Sequence, residues 1–452
     1  MPINCIQGRG GFRKWPEPRS QAVLSPAPPL GAIILDLRVS DLKRDVEQYR
    51  SVASISACDH IGSYNWLDTA EPTVLIPGMP AQWMPLKHPR TLRQDDGKYF
   101  RDRNGARYPK HPLEPAVVTA LSMSPELNVD HGIELVACAS TVGNLLRFVR
   151  GEDKAFRMLV EEAHGSVFLT RRENSPTELI PDVYGYGHTF PEAYTTWAKE
   201  VKGSASHHRI LKYKFGGLNC LVRYETDGFV APDKASTTKE TASVAALSAA
   251  PPVDLPEELH KFRISSCVAG TNKDLRIQAA GHPVAEDRIF ELKTRSAKKA
   301  EDDILGSELP RLWVTQISRL IVAFHKRGLF DDIRELDTRA RVADWERDNT
   351  EALATLAALL HFVREQVRGS PNGKLELCCS EPGKLEVRKQ LPGAGNALSS
   401  AVRSAWGARV VARKKEPASP ELTSKMHWAG SDDETDDFTA CSDACGYCGR
   451  CS

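Results

Sequence analysis

Two short charged triplets constrain this chain most: Glu225-Thr226-Asp227 and Glu291-Leu292-Lys293. Each follows a β-rich apolar run, Leu221-Val222-Arg223-Tyr224 in the first case and Ile289-Phe290 in the second. A strand turns successive side chains to opposite faces. A strand over Leu221 to Val230 therefore carries Glu225 and Asp227 on one face, and the later strand carries Glu291 and Lys293 on one face with Phe290 and Leu292 on the other. Two such strands side by side bury one face and collect three carboxylates and a lysine. That set suits a hard divalent cation with an ammonium beside its water. The same residues also fit a solvated strand face with cross-strand ion pairs.

A third signal lies downstream. In the stretch from Leu312 to Phe324, Trp313, Ile317, Leu320, Ile321 and Phe324 fall at helical spacing. Gln316 lies on or beside that stripe, where a buried amide needs a partner. It serves either as a core glutamine bonded to backbone or as a group that orients a water or a phosphate.

In this order the motifs resemble those of the decapping exoribonucleases (DXO-like), a branch of the PD-(D/E)XK nucleases. Gly187-His188-Thr189-Phe190-Pro191-Glu192 is similar to the family's glycine-aromatic-glutamate motif with one extra residue. Glu225 and Asp227, Glu291 and Lys293, and Gln316 match the motifs that follow, and His60-Ile61-Gly62-Ser63-Tyr64-Asn65 resembles an N-terminal segment of the family. The resemblance implies that Asp227, Glu291 and the Leu292 carbonyl hold Mg²⁺ or Mn²⁺, with Glu225 and Glu192 completing the metal set directly or through water. It implies that Lys293 acts on the attacking water and Gln316 orients water or substrate. It further implies RNA as substrate, a role in decapping and mRNA quality control, and a nuclear 5′-3′ exonuclease as partner. One departure stands out: the family's arginine before the glutamate motif has no counterpart in Ala137 to Leu146, and Arg147 and Arg150 are the nearest arginines. It bears on cap or 5′-end handling more than on metal binding.

Over 452 residues the formal net charge is +1, so any field that attracts nucleic acid is local. Lys87 to Arg93, Arg101 to His111 and Arg147 to Arg157 mix cations with aromatics, as a groove for single-stranded RNA does. Solvated surface loops have the same composition. No leader or membrane-spanning run is read at the start, and eleven scattered cysteines fit reduced thiols in nucleus or cytoplasm.

The expected organisation is a disordered segment over 1–30, a nuclease domain over 31–390 and a basic, then acidic, Cys-rich tail over 391–452. Residues 231–256 read as a flexible insertion. Asp337 to Arg368 reads as one long amphipathic helix, and Leu375 to Val387 as a hairpin. In the tail, Cys441, Cys445, Cys448 and Cys451 have the spacing of a compact Zn²⁺ or iron–sulfur site, or of a thiol-rich tail without metal. The fold class expected is α/β, a mixed twisted sheet flanked by helices. The function expected is a Mg²⁺- or Mn²⁺-dependent hydrolase of RNA 5′ ends. Its rival is a catalytically weak relative that serves as an RNA-binding or interaction module.

Overall fold

The computed structural model describes residues 25–124, 127, 132–181, 183–232 and 274–413. Nearly all of the expected segments 1–30 and 231–256, and Cys441, Cys445, Cys448 and Cys451, lie outside the described residues. No helix among the described residues is long and apolar enough to cross a membrane.

Apolar residues on both faces make central strands. Leu218–Thr226 buries Cys220, Val222 and Tyr224 in one core and Leu221 in another, as a strand covered on both sides must. It is the seventh of eleven in a mixed sheet that runs Ile33–Arg38, Lys384–Lys389, Lys374–Glu381, Phe156–Ala163, Ser166–Arg171, Leu135–Cys138, Leu218–Thr226, Ser204–Phe215, Ser56–Leu67, Thr73–Gly78, Arg276–Gly281. The expected hairpin is the antiparallel pair Lys374–Glu381 and Lys384–Lys389 near one edge. A second, six-stranded sheet runs Leu329–Asp337, Arg319–Lys326, Ile289–Ser296, Gly228–Phe229, Gln82–Trp83, Thr195–Thr196.

Helices cover both faces of the large sheet. Helices Ala139–Val149, Ile304–Thr315 and Thr350–Gly369 pack on the face that holds Val222 and Tyr224. Leu353, Leu356, Leu360, Val363 and Val367 supply the buried stripe of the last, each contributing about 1.5–3 kcal/mol by leaving water. On the other face Glu114–Met123, buried almost all round, lies over Ile61, Tyr64 and Trp66. Gly62 allows the close approach there, since a Cβ would lie only 3.0 Å from Thr119 Cγ2.

Four expectations change. The strand expected from Leu221 to Val230 ends at Thr226, and the chain passes at Asp227 into the second sheet as Gly228–Phe229. The run from Leu312 to Phe324 is a helix end followed by the strand Arg319–Lys326, because Gln316 turns left-handed with φ 54°. The long helix splits into Arg339–Asp348 and Thr350–Gly369 at Asn349, whose amide caps the Trp345 carbonyl at 2.9 Å. The fold also continues past residue 390: in helix Ser400–Arg413, Trp406 is 0% exposed and its indole donates to Ser166 Oγ at 3.0 Å. Arg403 in the same helix pairs with Glu161. Helix Ser400–Arg413 is thus a packing element of the fold.

Trp406→Ala should cost about 3–5 kcal/mol by leaving a cavity where the indole packed. Truncation after Gln390 should lower the melting temperature at least as far. An unchanged melting curve for both variants would return the domain boundary to 390.

Candidate active site

The acidic triplets meet where the two sheets join. Gly228 pairs with Phe290 and Phe229 with Ile289 in antiparallel register, so one further step sets Asp227 opposite Glu291. Asp227 Oδ2 accepts from the backbone N–H of Leu292 at 2.7 Å, and Thr226 Oγ1 donates to the Phe290 carbonyl at 3.1 Å. Phe290 and Leu292 enter the apolar cluster of Tyr186, Phe190, Tyr194 and Phe330, which leaves Glu291 and Lys293 on the opposite face.

Glu291 is 0% exposed, so its charge must be matched. Lys293 Nζ lies 3.0 Å from Glu291 Oε1. From helix Ile304–Thr315, Arg311 brings Nη2 to 3.3 Å from Oε2 and Nε to 2.9 Å from Oε1, the second contact without the alignment of a hydrogen bond. Lys293 also reaches Glu308 Oε2 at 3.4 Å, and Arg295 reaches Glu308 Oε1 at 3.2 Å. Three cations on two elements thus balance two buried glutamates.

Glu225 belongs to the other sheet. It pairs in register with His208, and its Oε1 takes Arg103 Nη1 at 2.7 Å. Arg103 comes from the basic stretch Arg101 to His111, and it lies near His188, whose imidazole burial and then the Arg103 charge push down to about 3. Glu192 stands exposed on helix Thr189–Tyr194. Burial first, and then the charges of Asp95 and Glu192, raise the Tyr99 hydroxyl above its ordinary value. Asp95, not singled out from sequence, accepts the N–H groups of His188 at 3.0 Å and Thr189 at 2.8 Å and so orders the start of the Glu192 helix.

The fit to a divalent cation is therefore partial. Among the described residues no group of three or more His, Cys, Asp or Glu side chains is gathered to hold a metal, which corrects the four-carboxylate set of Glu192, Glu225, Asp227 and Glu291. The physical reason is the chain's change of sheet at Asp227, which leaves Glu225 to Arg103 and Glu192 on the surface. Asp227 and Glu291, with the Leu292 carbonyl, remain side by side, and Mg²⁺-like ions commonly use one or two protein carboxylates plus water and substrate phosphate. Gln316 takes the first of its two readings, a glutamine bonded to backbone: its Nε2 donates to the Trp313 carbonyl at 2.5 Å at the end of its own helix. Arg311 and Glu308 were missed because the helix was read as starting near Leu312. Asp303, whose side chain accepts from Gly306 N at 2.9 Å, is the cap that marks its true start.

A family model described as "Domain of unknown function (DUF8563)" matches residues 38–380. The chain belongs to that family. No curated protein matches the chain in sequence. Among solved structures, Scheffersomyces stipitis Rai1 in complex with (3'-NADP)+ and calcium ion is similar at TM-score 0.50 and 12% identity, over 84% of this chain and 99% of that one. Candida albicans Rai1 in complex with pU5-Mn2+ follows at 0.47 and 9%, over 79% and 96%. K. lactis Dxo1 in complex with manganese stands at 0.42 and 8%, over 84% and 100%. The fold is thus that of the Rai1/Dxo1 decapping exoribonucleases, a likeness of architecture at this level of identity.

Three histidines on the strands Ser56–Leu67 and Ser204–Phe215 give the fold a pH signature. Burial and then Arg209 push His60 down to about 3. Burial and neighbouring cations, Arg209 first for His207 and Arg223 first for His208, hold those two well below 6.5. All three are neutral when folded and ordinary when unfolded. Between about pH 6.5 and about pH 3 the unfolded chain therefore binds more protons, so stability is lost as pH falls through that window. Urea midpoints should drop steadily from pH 7 to pH 4.5, and His60→Gln should flatten the slope. A midpoint constant over that range would contradict the assignment.

Proposed function

We propose that this chain hydrolyses RNA 5′ ends with a divalent cation, Mg²⁺ or Mn²⁺, in the manner of the decapping and 5′-3′ exoribonucleases whose fold it has. The observation that carries the reading is the junction of Asp227, Glu291 and Lys293, two carboxylates and an ammonium fixed on paired strands. The nucleotide and calcium ion in the Scheffersomyces stipitis relative belong to the ligand class this reading needs. Asp227 and Glu291 would hold the cation, whose chemistry is to lower the pKa of a water and offset charge on the phosphate. Lys293 is held by Glu291 and Glu308, so its ammonium stays in one place and can stabilise negative charge that develops beside it. The hydrogen bond from Leu292 N–H fixes the Asp227 carboxylate before any ligand arrives.

A second reading has its own observation. Glu225 and Glu291 are each paired with an arginine, Arg103 and Arg311, as expected of a relative that keeps the fold to bind RNA or another partner without cleaving it.

The test is incubation of the purified chain with labelled 5′-monophosphate, triphosphate and capped RNAs, with and without Mn²⁺. Cleavage should require the metal. Asp227→Ala and Glu291→Gln should lower it by at least about a hundredfold while RNA affinity, set by basic groups, changes little. Lys293→Ala should impair turnover and leave Mn²⁺ binding in place. Cleavage of none of the three ends by wild type, with RNA affinity intact in every variant, would favour the binding module.

A further inference from the structure

Glu225 already has a cation. Arg103 Nη1 donates to its Oε1 at 2.7 Å, with the two side chains 26% and 25% exposed, a distance typical of a charge-assisted hydrogen bond. Arg103 is not carried there on a loose loop. It opens the helix Arg103–Arg107, whose preceding residue Asp102 accepts the backbone N–H groups of Asn104 and Gly105, both at 3.0 Å. The next residue fastens that helix to the large sheet: Asn104 is buried, and its Oδ1 accepts from both the Tyr64 hydroxyl and Trp66 Nε1 at 2.8 Å.

The anchor stands beside the acid. Tyr64 pairs in register with His208, and His208 with Glu225 on the next strand, while the Tyr64 ring stacks on the His208 imidazole with centroids 5.0 Å apart. Burial first, and then Arg103 for His188 and Arg223 with Arg103 for His208, holds both imidazoles well below 6.5, so the guanidinium is the charge that faces Glu225. An arginine stays protonated in a folded protein, which makes it a counter-ion that cannot leave. A metal ion arriving at Glu225 would have to displace that tethered charge and then sit beside it. Asp227 differs: the Leu292 N–H orients its carboxylate without neutralising it.

We propose that Arg103 is a built-in cation that keeps Glu225 out of the metal site, leaving a single divalent cation to Asp227 and Glu291. The proposal rests on the reading of that pair as the cation site and deepens it: it sets the number of ions and gives Arg103 the place of a metal shared with Glu225. Two carboxylates suffice for a Mg²⁺-like ion that keeps its waters. The positive charge at Glu225 is then supplied by the chain itself and is present whether or not a metal is bound.

The test is a double-mutant cycle on Mn²⁺ binding, read without RNA from the electron paramagnetic resonance signal of the free ion in titrations of the full chain. Comparison between variants cancels any ion held elsewhere in the chain. Glu225→Gln should weaken Mn²⁺ binding at least about tenfold more in the Arg103→Gln background than in wild type, because only there is the carboxylate open to the ion. Arg103→Lys, which keeps a tethered charge, should behave as wild type. Asp227→Ala should remove one ion per chain. Equal effects of Glu225→Gln in both backgrounds, none in either included, would overturn the proposal, as would two ions lost in Asp227→Ala. If Arg103→Gln folds poorly, Glu225→Gln in the wild-type background still decides: loss of an ion there makes Glu225 a metal ligand and ends the proposal, and an unchanged count upholds it. No ion lost in Asp227→Ala, with the coupling still present, would sink the cation reading of Asp227 and Glu291 and leave Arg103 in its role.

Discussion

The hydrogen bond from Leu292 N–H to Asp227 Oδ2 is the contact on which the arrangement of the site depends. Leu218–Thr226 runs through the middle of the large sheet, and the chain must leave it to reach the smaller one. Asp227 sits at that crossing. A carboxylate there satisfies a backbone donor that the short pair Gly228–Phe229 cannot reach, and so locks the Glu291 strand in register with its neighbour. A register slip of one residue would exchange Glu291 for Phe290 and turn a charge into the cluster of Phe190, Tyr194 and Phe330. The apolar cluster on one side and the Asp227 bond on the other therefore select the same alignment.

That alignment leaves an electrostatic obligation. A carboxylate as buried as Glu291 is tolerated only with counter-charges in contact, and Lys293 and Arg311 supply them. Glu308 does the same for Lys293 and Arg295. Because each member would be stranded without its partners, the cluster ties helix Ile304–Thr315 to strand Ile289–Ser296 alongside the apolar contacts around Trp313. Glu225 meets its obligation separately, through Arg103, on the far side of the strand crossing.

The strands and the pairing of Asp227 with Glu291 were legible in sequence because period-two alternation is local and strong. Phe290 and Leu292 went to the opposite face from Glu291 as expected. What alternation does not carry is a change of sheet, so Glu225 and Asp227 were read as one face of one strand when a crossing separates them. Helical spacing misled at Gln316 for a related reason. Apolar residues on a helix end and on a strand buried on both sides, such as Arg319–Lys326, make one unbroken run, and only the left-handed turn at Gln316 divides them. Trp406 was passed over because a basic surround reads as solvent-exposed, although its face of the helix is apolar. Arg103 comes to Glu225 through tertiary packing alone, which no local pattern records.

The pairing of Glu291 with Arg311 has a consequence for how such a site can respond to ligands. A divalent cation at Glu291 and the Arg311 guanidinium would share the charge of one carboxylate. Without a cation, Arg311 and Lys293 balance the Glu291 carboxylate, and its charge is matched within the fold. Under the proposed reading, the arginine at Glu291 is then the resting partner of a carboxylate whose other partner arrives with substrate, and its presence is compatible with catalysis as well as with its loss.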